Sequence, residues 1–83
     1  MERLMETLSK YEQAFRTAFF LDEGEDVSGL AYQEHPSWDS VGHMALMAEL
    51  ETAFGIAIDM DDVIDFESFS VGKELLAKYG ISF

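Results

Sequence analysis

WDSVGHMALMAELETAFGIAI, residues 38–58, decides how this chain folds. His43, Leu46, Met47, Leu50 and Phe54 follow one another at intervals of three, one, three and four, the spacing of one face of an amphipathic helix. Asp39 or Ser40 can cap the start, because a short side-chain oxygen there accepts from the first unpaired amides. Gly55 stands where a helix commonly ends through a left-handed residue. The spacing therefore predicts a helix over Ser40–Phe54. The reciprocal glutamate of a capping box is missing, since Gly42 and His43 hold its place.

Upstream, Leu4, Leu8, Tyr11, Phe15 and Phe19 recur at four, three, four and four residues. That is a second helical stripe, over residues 2–20, with Arg3, Glu6, Lys10, Gln13 and Arg16 off it and facing water. Between the two helices lies DEGEDVSGLAYQEHPSW, residues 22–38. Gly24, Gly29 and Pro36 break regular structure, and the acids at 22–26 resist burial. Val27, Leu30, Tyr32 and Trp38 are too apolar for a free linker, so the loop is expected to lie across the core and pin itself there. Connections this long inside a small domain are uncommon and often functional.

Downstream, Ile56-Ala57-Ile58 reads as a buried loop, because an alternating strand there would have no partner. Asp59 or Asp61 caps a short helical turn near 61–66, with Val63, Ile64 and Phe66 available to pack. Ser68 caps a last helix over 69–79, with Phe69, Leu75, Leu76 and Tyr79 inward, and Gly80 ends it. The sum is an all-α four-helix bundle of three main helices and one short one, a single domain over residues 1–83. Leu4, Leu8, Phe15, Leu46, Leu50, Phe54 and Leu75 are the expected core.

A chain of 83 residues buries only about 60–65% of the surface it exposes unfolded, enough for one modest core but not for a deep enclosed site. No apolar run approaches the roughly 18 residues that span a bilayer, and MERLMETLSK is charged and periodic, unlike a secretory signal. The expected location is the cytoplasm, and the expected state a monomer. Cysteine is absent, which removes disulfides, thiolate metal sites and a cysteine nucleophile. The net charge is −12, and from Thr17 to Gly72 there is no lysine or arginine. Such a surface repels nucleic acid and anionic lipid and favours basic protein partners.

Three chemistries compete for Asp39-Ser40. Asp39, Ser40 and His43 supply the residue types of a hydrolytic triad. However, the aspartate of a triad must bond the far nitrogen of the histidine, and Asp39, adjacent to Ser40, points away from a side chain three residues into the helix. No Gly-x-Ser-x-Gly elbow is present, and His43 on the apolar stripe reads as a core residue with a satisfied hydrogen bond. Asp59, Asp61, Asp62 and Asp65 suggest a calcium loop, but the sixth and twelfth positions are Ile64 and Ser70, where glycine and glutamate are required. No catalytic residue and no metal site are therefore assigned. The third chemistry is attachment: a helix start with free amides and a positive dipole end accommodates a phosphate, and a phosphodiester on Ser40 could bring the thiol that the chain lacks.

Residues 38–58 resemble the prosthetic-group segment of acyl and peptidyl carrier proteins, free-standing type, whose signature is Asp-Ser-Leu opening the second helix and a Phe-Gly-Ile-like exit. The likeness runs at constant spacing over about residues 38–80; the first helix matches in character only. The resemblance places the family's serine on Ser40, its aspartate on Asp39 and its leucine on Val41. It implies that a phosphopantetheinyl transferase attaches 4′-phosphopantetheine from coenzyme A to Ser40. It further implies that loading and downstream biosynthetic enzymes handle an acyl or aminoacyl group held on that arm as a thioester. The partner-facing residues would be Val41, Met44, Ala48, Glu49, Glu51, Asp61 and Asp62. Gly42, Ala45 and Thr52 occupy exposed or boundary positions where family members often carry acids, so this helix offers a more apolar contact and fits a dedicated secondary-metabolite or polysaccharide pathway. The competing reading is an acidic helical interaction domain, an adaptor or nucleic-acid mimic, which has no use for a serine at position 40.

Overall fold

Tyr11, Ala14, Phe15, Ala18 and Phe19 are all buried, two turns of one helix face closed over by everything that follows in the chain. The computed structural model describes residues 2–83, with side chains from Glu6 onward. It contains α1 (Glu2–Phe19), α2 (Ser40–Phe54), α3 (Met60–Asp65) and α4 (Phe69–Ala77). The fold is all-α, with the long loop between α1 and α2. Leu4, expected in the core, and Arg3, expected at the surface, lie outside the residues whose side chains are described.

Phe15 is the hub of the core. Its ring centroid lies 5.0 Å from Tyr11, 5.2 Å from Phe69, 5.4 Å from Trp38 and 5.9 Å from Phe19. The Tyr11, Phe19 and Trp38 contacts are edge-on, the geometry that sets a positive ring edge against a negative face and adds about 0.5–1.5 kcal/mol per pair beyond burial. Leu46, Met47 and Leu50 of α2 and Leu76 of α4 complete the interior. Burial of each contributes about 1.5–3 kcal/mol. Leu8, Phe54 and Leu75 pack at its margin, half-buried.

The loop is pinned as its apolar residues require. Val27 and Trp38 are wholly buried, and Leu30 and Tyr32 pack against the core. Backbone bonds reinforce this. The Phe69 amide donates to the Leu30 carbonyl (3.0 Å) and the Tyr32 amide to the Glu67 carbonyl (2.8 Å), tying the loop to the start of α4 through the Ala31–Ser68 bridge. At the other end, Arg16 donates through Nε and Nη2 to the Glu25 carbonyl.

α4 packs closely enough to need a glycine. A Cβ on Gly72 would overlap the Phe66 ring and the Tyr11 hydroxyl. That hydroxyl donates to the Phe69 carbonyl at 2.6 Å, and burial pushes the Tyr11 phenol far above its usual range. Ser68 caps α4, accepting from the Val71 amide. α4 itself ends at Ala77 rather than 79; a turn carries the chain to Gly80, which is left-handed (φ 83°) and lets the Ile81 amide reach the Leu76 carbonyl.

Other boundaries and burials depart from expectation for local reasons. α3 runs from 60 to 65, started by the Asp59 backbone carbonyl without a side-chain cap bond. Ile64, expected to pack, is 68% exposed, because Phe66 and Val63 already fill the inward side. In the 56–58 connection Ile56 and Ile58 pack inward, but Ala57 faces out. α1 stops at Phe19, not at residue 20: Phe20 is left-handed, with φ 57°.

Candidate functional site

Asp39 makes the N-terminus of α2. Its backbone is extended, its carbonyl accepts from the His43 amide (2.8 Å) and its Oδ1 accepts from the Gly42 amide (2.8 Å). The His43 amide thus makes the first regular bond of the helix, and the Asp39 carboxylate satisfies one of the amides that have no intrahelical partner. The amides of Ser40 and Val41 have no acceptor among the described residues. Ser40 is the first helical residue, and it is exposed.

Gly42 is what allows this start. It was expected at an exposed or boundary position and is instead buried: a Cβ there would overlap the Ser37 carbonyl oxygen and stand 3.4 Å from Phe19 Cε1. The loop backbone thus lies directly on the first turn of α2, and the end of α1 lies beside both. The loop around it is fixed. The Ser37 amide donates to His35 Nδ1 (3.1 Å), the Trp38 amide to the His35 carbonyl (3.0 Å), and the His35 ring stacks on Phe19.

His43 is half-buried, with both ring nitrogens engaged. Trp38 Nε1–H donates to His43 Nδ1 at 2.8 Å. The ring is therefore protonated on Nε2, which donates to the Val63 carbonyl at 2.7 Å. The histidine clamps the loop to α2 and α2 to α3. The Asp39 carboxylate is turned to Gly42, so no Asp–His–Ser relay is formed.

The remaining candidates divide by exposure. Val41 is 77% and Met44 54% exposed, and Ala48 is exposed too; positions 41, 44 and 48 lie on one face of α2. Asp61 is exposed and Glu49 half-buried. Glu51 and Asp62, proposed from the sequence as partner contacts, are tied into the fold. Glu51 Oε2 accepts from the Ile58 amide (2.9 Å), holding the turn after α2. Asp62 is buried and accepts from Lys78 Nζ and the Tyr79 hydroxyl, and Tyr79 also accepts from the Asp59 amide. The Lys78 hydrogen bond first, then that of Tyr79, holds the Asp62 carboxyl below the usual aspartate range; reciprocally, Lys78 is raised.

Sequence reasoning missed three exposed apolar side chains: Met60 (67%), Ile64 (68%) and Phe20 (94%). A signal was present for the first two. A six-residue helix flanked by aspartates carries Met60, Val63 and Ile64 with Phe66 just beyond, more apolar bulk than one inward face accepts. Val41 and Met44 on α2 and Met60 and Ile64 on α3 are thus exposed apolar side chains, the latter two with Asp61, Asp65 and Glu67 exposed near them in the chain. An open groove of about 300 Å³ lined by Tyr32, His43, Val63, Ile64, Phe66 and Glu67 begins within one helical turn of Ser40. The larger cleft, about 600 Å³ against Glu6, Lys10, Phe54 and Ile81, is at the other end of α1 and α2. Its lining offers no nucleophile at a helix start, so chemistry rather than size singles out Ser40.

Among the described residues no group of three or more His, Cys, Asp or Glu is placed to hold a metal ion, and no helix is long and apolar enough to cross a membrane. The residues around Ser40 suit a phosphodiester: an accessible hydroxyl and two free amides at a positive helix end. No family model, curated protein or solved structure matches this chain.

Proposed function

We propose that this chain is a carrier protein whose Ser40 holds a 4′-phosphopantetheine arm. The observation that carries the reading is an exposed serine hydroxyl at the first residue of α2, presented by the Asp39 cap and the Gly42 seat, with no base hydrogen-bonded to it among the described residues. A nucleophile of that kind is a substrate for another enzyme rather than a catalyst. The transferase would remove the hydroxyl proton; Oγ would form a bond to the phosphorus of coenzyme A that bears the pantetheine, and the bond from that phosphorus to the nucleotide would break. When attached, the arm supplies a thiol that carries an acyl or aminoacyl group as a thioester.

The chain's own residues then have limited tasks. The free amides of Ser40 and Val41 face the phosphodiester. Val41, Met44 and Ala48, with Met60 and Ile64, present an apolar contact bordered by Glu49 and Asp61. Partners fitting it have a basic rim around an apolar patch: the transferase, a loading enzyme and the enzymes that use the cargo. The absence of lysine and arginine from 17 to 72 argues against nucleic acid and anionic membrane surfaces as partners. A cytoplasmic monomer in a dedicated biosynthetic pathway is the corresponding setting.

The test is labelling with a fluorescent coenzyme A analogue and a broad-specificity phosphopantetheinyl transferase. Label is expected on the wild type and on Ser28→Ala, and none on Ser40→Ala. Wild type that stays unlabelled with several transferases would overturn the carrier reading and leave the acidic interaction domain, which the exposed Met60 and Ile64 also suit.

A further inference from the structure

Phe20 is the most exposed large apolar side chain among the described residues, at 94%, and it occupies a backbone conformation that bulky side chains avoid, with φ 57°. It is the left-handed residue that ends α1: beyond it the Leu21 amide reaches back to the Arg16 carbonyl at 2.9 Å. Glycine or asparagine ordinarily fills such a position. Here a phenyl ring fills it and buries nothing in return.

Its surroundings are held in place. Arg16 donates twice to the Glu25 carbonyl, Gln13 to the Glu23 carboxylate at 3.0 Å, and the Ser28 amide and hydroxyl to Asp26 Oδ1. The segment after Phe20 is thus fastened to α1 with Asp22, Glu23, Glu25 and Asp26 exposed. Its place in the bundle matters as well. Phe19, the preceding residue, lies 3.4 Å from where a Gly42 Cβ would stand, so α1 ends where α2 begins. Phe20 and Ser40 share one end of the molecule.

We infer that Phe20 is an anchor for the enzyme that modifies Ser40, entering an apolar pocket rimmed by lysine or arginine that meets the acids at 22–26. This rests on the carrier reading of Ser40 and adds to it a contact from outside α2 and α3. Charge decides the occupant. A second copy of this chain would bring another acidic loop against the first, whereas a basic rim is attracted to it and an enzyme docked on Ser40 is already at this end.

The strain gives a test in which a structural role and a docking role move opposite readouts. Phe20→Asn relieves the left-handed backbone, so its melting temperature is expected at or above that of the wild type. Because burying a phenyl ring in a partner is worth a factor of about ten or more in affinity, the same variant is expected to raise the transferase's KM for the protein about tenfold with kcat unchanged. Asp22→Asn/Glu25→Gln, whose side chains make no internal bond, is expected to raise KM and flatten its dependence on salt. If the wild type is modified but KM stays within about twofold in both variants, the anchor is refuted while the carrier reading stands. If the wild type is not modified at all, it is the carrier reading that fails.

Discussion

Gly42→Ala is the substitution whose effect the geometry around Ser40 specifies most fully. In an open helix this change gains up to about 1 kcal/mol from helix propensity. Here the new methyl would overlap the Ser37 carbonyl oxygen and stand 3.1 Å from its carbon. The carbonyl would have to retreat by roughly 1 Å or more to reach ordinary contact. It has little freedom to do so, because wholly buried Trp38 follows it and His35 holds the amides of Ser37 and Trp38. Overpacking of this kind costs about 1–3 kcal/mol, and disturbing the Asp39 cap adds about 1 kcal/mol. Against the propensity gain the net loss is about 1–3 kcal/mol. For a domain of this length each kcal/mol is about 4–8 °C in melting temperature, so scanning calorimetry should find a drop of about 5–20 °C. Hydrogen exchange should show faster exchange at the Gly42-equivalent and His43 amides than in α4. A variant melting at or above the wild type would refute the seating of the loop on α2.

The second close glycine gives a control deep in the core: Gly72→Ala forces the Phe66 ring and the Tyr11 hydroxyl apart, and its melting temperature is expected to fall at least as far as that of Gly42→Ala while fluorescent labelling of the refolded protein at Ser40 persists. Asp62→Asn tests the α3–α4 tie through pH. Because the Lys78 and Tyr79 hydrogen bonds hold the Asp62 carboxyl below the usual aspartate range, the unfolded state takes up its proton first; the stabilisation is present above the ordinary aspartate range and is lost as pH falls through the depressed one. The raised Lys78 sets the opposite limit, its share persisting below the ordinary lysine value and fading in strong alkali. Asp62→Asn should therefore melt below the wild type near neutral pH, and the gap should close under strong acid; a gap indifferent to pH would contradict the assignment. Finally, the −12 charge predicts self-repulsion, so the unmodified protein should melt higher as salt is raised from low ionic strength, and a flat response would remove that claim.

The helices were legible because each carries its own period and punctuation. α2 is the clearest case: the stripe from His43 to Phe54, Asp39 before it and Gly55 after it set both ends, and Gly55 is left-handed with φ 64°. The apolar loop residues likewise announced that the loop would be pinned. Long-range pairing was not legible. Nothing in the local sequence says that the Ser37 carbonyl will lie on Gly42, or that Lys78 and Tyr79 will claim Asp62, since those partners meet only when the loop and α4 close over the core. An aspartate beside others reads as a solvated face until such a partner arrives. The serine itself was legible as a helix start, but its accessibility depended on how the loop settled, and Phe20, expected as the last residue of the first helix, is instead the left-handed residue just past its end.

The most direct test is the intact mass of the purified protein before and after incubation with coenzyme A, magnesium and a phosphopantetheinyl transferase, followed by fragmentation of the peptide spanning Trp38 to Phe54. The carrier account expects one added phosphopantetheine per chain, located on residue 40 and absent from Ser40→Ala. An unchanged mass, or the same addition at another residue, would contradict it.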